Sequence, residues 1–155
     1  MLEPKLRVFL DSNVIVSGIY SSRGAPAVVL RRFIEGRLTV VVSQQVLDEV
    51  IRAVRAKLPE ALPSLRRFLV NAPPEIWKDP APEEVKRWSS TLNVGDAAIM
   101  AAVVAARPDY FVTGDRHFLE HPSIAEETGL KIVTPAQFVK LLEQDGDVKD
   151  ERERP

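Results

Sequence analysis

The sequence predicts an α/β fold in which helices cover both faces of a largely parallel sheet. Three observations predict it. Short apolar or β-branched runs alternate with longer amphipathic stretches, the order expected of parallel strands joined by helical crossovers. Two of the apolar runs, LRVFLDSN and YFVTGD, stop at an acid, Asp11 and Asp115. Proline and glycine punctuate the intervals between segments.

The elements follow in order. Residues 5–10 (KLRVFL) read as the first strand, stopped by Asp11-Ser12-Asn13. Gly24-Ala25-Pro26 opens an amphipathic run, AVVLRRFIEG, with Gly36 at its C-terminal end. Thr39–Val42 is β-branched and short enough for a buried strand, and Ser43 suits the N-cap of a helix over 44–57. Pro59 and Pro63 interrupt the pattern before a short helix near 64–71. Glu75–Trp77 is a further strand, and Pro80 and Pro82 mark a loop. A helix is expected over Glu83–Leu92, a turn at Asn93-Val94-Gly95 and a helix from Asp96. Tyr110–Thr113 and Lys131–Val133 read as strands, and Pro135 starts a last helix of about eight residues. Trp77 and Trp88 read as packing residues.

A chain of 155 residues has the size of one ordinary domain, expected over 1–144. Residues 145–155 (DGDVKDERERP) hold one apolar residue among many charges and are expected to form a disordered tail. There is no cysteine, which excludes disulfides, thiolate metal sites and cysteine nucleophiles. The first segment, MLEPKLRVFLDSN, lacks the long apolar stretch of a signal peptide, and no segment approaches the roughly 20 apolar residues of a membrane span. The expectation is a soluble cytoplasmic protein. The net charge of −1 supplies no global attraction to nucleic acid. Residues 1–70 carry 11 Lys/Arg against 6 Asp/Glu, and the remainder 10 against 16, so the N-terminal half is the basic one. Its arginines suit solvated helix faces as well as phosphate contact.

Four acids distant in sequence fall where such a sheet would gather them: Asp11, Glu49, Asp96 and Asp115. Ligands of open parallel sheets bind in the crevice beyond the C-terminal strand ends. Carboxylates gathered there repel one another unless a cation intervenes, so the constellation points to a hard divalent metal and phosphate chemistry. Each acid also has a plainer reading. Asp11 suits an N-cap as well as a metal ligand. Asp96 is the only charge in DAAIMAAVVAA; a cap at a helix start or a metal would offset its burial. Asp115 fits a polar turn after Gly114, with Thr113 the nearby side chain able to hydrogen-bond a carboxylate. Glu49 lies away from the apolar face set by Val46, Val50, Ile51 and Val54, so periodicity places it on the surface. His117 and His121 lack the spacing of a zinc-protease motif and read as surface or loop residues, and Ser12 lacks the glycine-flanked elbow of a hydrolase serine.

Four segments together resemble the PIN-domain nucleases, and among them the VapC-like ribonuclease toxins of prokaryotic toxin–antitoxin pairs. They are VFLDSNVIVSG at 8–18, VVSQQVLDEVIRAV at 41–54, GDAAIMAAVVAARPDYFVTGDRHFL at 95–119 and IVTPAQFVKLL at 132–142. The third is the most specific, joining an acid at the start of an Ala-rich helix to a strand ending in TGD. The resemblance implies a three-layer α/β/α domain with a central, mostly parallel sheet of four to five strands. It implies a Mg2+- or Mn2+-dependent endoribonuclease whose acidic quartet is Asp11, Glu49, Asp96 and Asp115, with metal held mainly by Asp11, Asp96 and Asp115. Under it Glu49 faces the crevice instead of solvent, and Ser12, Asn13 and Thr113 match supporting polar positions. Arg23 and Arg116 are candidate RNA phosphate contacts. An antitoxin partner and a homodimer are implied by the same resemblance. Two other classes stand beside it: an α/β metal-dependent phosphatase or phosphotransferase with Asp11 as nucleophile, and a non-catalytic RNA- or protein-binding module whose acids are caps. A haloacid-dehalogenase-like site needs a second aspartate two residues beyond the first, where this chain has Asn13.

Overall fold

Val8, Phe9 and Leu10 are fully buried because their strand, β1 (Leu6–Leu10), lies at the centre of the sheet with helices on either side. The computed structural model describes residues 5–144; the expected tail at 145–155 lies outside the described residues. β1 pairs with β2 (Leu38–Ser43) and β4 (Tyr110–Val112), and β3 (Glu75–Trp77) and β5 (Ile132–Val133) form the edges. The order is β3-β2-β1-β4-β5 and every pairing is parallel. Parallel strands covered on both faces are apolar almost throughout, which is why VVV in β2 does not alternate.

Nine α-helices occur among the described residues. α1 (Ser12–Tyr20) and α2 (Ala25–Ile34) link β1 to β2, and α3 (Gln44–Lys57) and α4 (Leu62–Asn71) link β2 to β3. α5 (Pro82–Lys86) and α6 (Val94–Ala106) cross from β3 to β4; α7 (Arg116–Leu119) and α8 (Pro122–Thr128) connect β4 to β5. The chain thus steps one way from β1 to β3 and the other way from β3 to β5. Right-handed crossovers then put α1–α4 on one face and α5–α8 on the other, giving three layers. α9 (Pro135–Gln144) packs against α2, and α1 packs against α3. Gly18 permits the close approach of α1 and α2: a Cβ there would sit 2.5 Å from Leu30 Cδ1.

Several boundaries differ from expectation for local reasons. The helix expected over Glu83–Leu92 ends at Lys86. Beyond it, N–H groups of Trp88, Ser89 and Thr91 bond three residues back, which tightens the chain into turns. Asn93-Val94-Gly95 is a cap and first helical turn, because Asn93 Oδ1 accepts the N–H of Asp96 at 2.8 Å. Pro63 lies in the first turn of α4, where its missing N–H costs nothing, so α4 starts at Leu62. α9 runs ten residues, longer than the eight expected. α7 and α8 were not anticipated, being short; each is held by one buried side chain, Phe118 and Ile124.

Candidate active site

The strand order reverses its sense between β1 and β4, so the connections leaving their C-terminal ends diverge and open a crevice. Asp11 immediately follows β1 and is only 3 % exposed. Its backbone N–H bonds to Val112 O at 3.0 Å, which extends the β1–β4 pairing to the crevice floor. Its carboxylate is braced on both oxygens. Oδ1 accepts the Ser12 N–H at 2.8 Å, and Oδ2 accepts Thr113 Oγ1–H at 2.7 Å and Asn13 Nδ2–H at 3.1 Å. Asp11 is therefore the N-cap of α1 as well as a carboxylate directed into the site.

The other acids reach the same place from separate elements. Thr113, fully buried at the end of β4, also accepts the Asp115 N–H at 3.0 Å, so one hydroxyl joins Asp11 to Asp115. Asn13 Oδ1 accepts the Gly114 N–H at 2.9 Å and locks the two strand ends together. Glu49 is half-buried on α3, where Oε2 accepts Ser12 Oγ–H at 2.9 Å and Oε1 accepts Gln45 Nε2–H at 3.2 Å. The same Gln45 amide donates to Gly95 O at 3.2 Å, tying α3 to the first turn of α6. Asp96 lies in that turn, and its Oδ2 accepts Asn93 Nδ2–H at 3.0 Å.

His117 is exposed, as its surface reading expected, but its ring also reaches two of the acids. Its Nδ1 is 2.8 Å from Asp96 Oδ2 and 3.5 Å from Asp115 Oδ1. The cause is Phe118: that ring is buried against Phe111, itself edge-on to Phe9 beneath the crevice. Burying a phenylalanine contributes about 1.5–3 kcal/mol, enough to set the rotation of a four-residue helix. With Phe118 turned inward, the preceding side chain turns to the crevice. His121 instead occupies the N-cap position of α8. Of the two arginines singled out, Arg116 is exposed beside Asp115, and Arg23 is exposed in the α1–α2 loop, its N–H bonded to Ser21 Oγ at 3.2 Å. Among the described residues, neither arginine side chain forms a hydrogen bond or ion pair with the four acids. Trp88 is buried in the core and Trp77 packs against it, as expected.

The electrostatics follow from burial and crowding. Burial pushes the Asp11 carboxyl up to about 6, opposed by the Thr113 and Ser12 hydrogen bonds and assisted by the charges of Glu49 and Asp115. His117 is raised above its ordinary value, first by its hydrogen bond to Asp96 and then by the Asp115 and Asp96 charges. One donor atom each from Asp96, Asp115 and His117 lie within 4.8 Å of one another, close enough to share one ion. Carboxylate oxygens are the donors that Mg2+ and Mn2+ take, so the residues fit a hard divalent cation.

The PIN domain family model matches residues 7–117, from β1 through the turn that bears Asp115 and His117. The chain belongs to the PIN domain family. Comparison with the curated proteins finds no match. Among solved structures, this PIN domain is similar to a chain of VapBC2 from Rickettsia felis, solved bound to a DNA fragment from their promoter. The two share 19 % identity and a TM-score of 0.60, over 83 % of this chain and 98 % of that one. It is also similar to PAE2754 from Pyrobaculum aerophilum, with 18 % identity and a TM-score of 0.57, over 89 % and 90 % of the respective chains. At these identities the two structures bear on fold alone. PIN domains are nucleases, hydrolases of phosphodiester bonds. Among the described residues of this one, no helix is long and apolar enough to cross a membrane. Three residues of its crevice were missed by motif reading: His117, Gln45 and Asn93. The polar pair Gln45 and Glu49, four apart and on one edge of α3, was the available signal for Gln45.

Proposed function

We propose that this PIN domain is a metal-dependent endoribonuclease, acting as the toxin of a toxin–antitoxin pair in the cytoplasm, with a single domain over residues 1–144. The observation that carries the reading is the convergence of Asp11, Glu49, Asp96 and Asp115 at the sheet's switch point on a scaffold that matches a nuclease family. Asp11, Asp96 and Asp115 would hold Mg2+ or Mn2+. Bound there, the ion supplies an acidified water and charge neutralisation at the phosphoryl oxygens. Glu49, held by Ser12 and Gln45, orients the attacking water. Thr113 and Asn13 keep the Asp11 carboxylate aimed and add no charge. Arg116, exposed next to Asp115 in sequence, and Arg23, exposed in the α1–α2 loop, would contact RNA phosphates.

The phosphatase reading is weaker on geometry. Position 13 is an asparagine that braces instead of serving as a second acid.

The family resemblance adds a homodimer with an antitoxin segment over the crevice to the reading. An inserted Arg or Lys would replace the metal charge among Asp11, Asp96 and Asp115. The test is incubation of the purified protein with single-stranded RNA, with Mn2+ or with chelator. Cleavage is expected only with the ion, leaving 5′-phosphate and 3′-hydroxyl ends, and Asp11→Asn should be folded and inactive. Cyclic phosphate ends, which require attack by the 2′-oxygen, would refute the mechanism.

A further inference from the structure

The acids alone would make an all-oxygen site, yet this crevice also contains an imidazole. His117 Nδ1 lies 2.8 Å and 3.5 Å from one carboxylate oxygen each of Asp96 and Asp115. Adjacent donors on an octahedral ion with bonds of 2.0–2.2 Å are roughly 3 Å apart, so these separations bracket those of neighbouring ligands on one ion. The turn that carries the ring is fixed as well. The backbone N–H of His117 donates to Asp115 Oδ1 at 2.9 Å, and Phe118 buries the far side of the same turn. Asp96 is fixed independently by Asn93, so the two sides of the site are set by different elements.

We propose that His117 is a nitrogen ligand of the divalent ion held by Asp96 and Asp115, and that it biases the site toward a first-row transition ion over Mg2+. The proposal rests on the metal site described under Proposed function. Mg2+ is hard and takes oxygen donors almost exclusively, whereas the transition ions accept imidazole. A mixed nitrogen and oxygen set therefore strengthens Mn2+ binding and does little for Mg2+. The neighbouring Arg116 has no part in this selection, since it carries no acceptor lone pair.

The experiment uses the untagged full chain. Mn2+ and Mg2+ affinities are measured by calorimetry, and bound Mn2+ is examined by electron spin-echo spectroscopy for modulation from imidazole nitrogen. Nitrogen modulation is expected in the wild type and in His121→Ala, and its loss is expected in His117→Ala. That variant should bind Mn2+ roughly tenfold more weakly while its Mg2+ affinity changes by less than about twofold. Position 117 is exposed, and circular dichroism checks that the variant is folded; the wild-type spectrum needs no variant at all. Mn2+ binding that Asp96→Asn abolishes but that shows no nitrogen modulation would overturn the His117 assignment and leave the acidic site intact. Modulation that persists in His117→Ala would do the same. Failure to bind either ion would overturn both readings.

Discussion

Ser12 Oγ donates a 2.9 Å hydrogen bond to Glu49 Oε2, joining the first residue of α1 to α3 across 37 residues of sequence. The bond keeps a half-buried carboxylate turned toward the crevice instead of the solvent. Ser12→Ala should lower RNA cleavage by about tenfold, while costing only about 0.5–1.5 kcal/mol of stability, the net contribution of one hydrogen bond. Activity and urea unfolding measured on one preparation separate the two effects. Unchanged cleavage would remove Glu49 orientation from the mechanism.

Thr113→Val tests the hydroxyl shared by Asp11 and Asp115. The side chain is fully buried and the substitution keeps its shape, so packing is preserved and two hydrogen bonds are lost. The cost should be about 2 kcal/mol, because the Asp11 carboxylate and the Asp115 N–H each lose a buried partner. A denaturation midpoint equal to that of the wild type would contradict the arrangement.

Asp11 makes stability depend on pH in a definite direction when metal is chelated. Burial raises its folded-state value from 3.8 to about 6, so between these values the folded protein binds more protons than the unfolded chain. The contribution is fully present below about 3.8 and is lost as pH rises through about 6. Two units correspond to about 3 kcal/mol. Asp11→Asn should lack this slope, so the wild-type-minus-mutant difference in unfolding free energy should shrink by roughly that amount from pH 4 to 7. A difference that stays flat would show that Asp11 titrates near its ordinary value.

Metal should restore what the clustered acids cost. Mn2+ at a hundredfold excess over its Kd should stabilise the fold by about 2.7 kcal/mol, raising Tm by roughly 5–10 °C. Asp96→Asn or Asp115→Asn should erase most of that gain in a thermal scan. Identical melting curves with and without millimolar Mn2+ would count against the site.

Much of this protein was legible in its residues because the relevant physics is local. β-branched runs and Pro/Gly punctuation mark the strands; Ser43 marks the start of α3, where its Oγ accepts the Val46 N–H. Asp11 and Asp115 follow strands that must end in one crevice, and the segments around them carry the family resemblance. Periodicity misplaced Glu49, which only the family resemblance turned toward the crevice, and the contact of His117 with the acids was decided only by the tertiary structure. Helical period distinguishes a buried face from an exposed one, but says nothing about what lies opposite an edge. Glu49 meets Ser12 because α1 packs against α3, a contact between elements far apart in sequence. His117 enters the site because Phe118 beside it is drawn onto Phe111, and burial of that ring sets the direction of a turn too short to carry a period of its own.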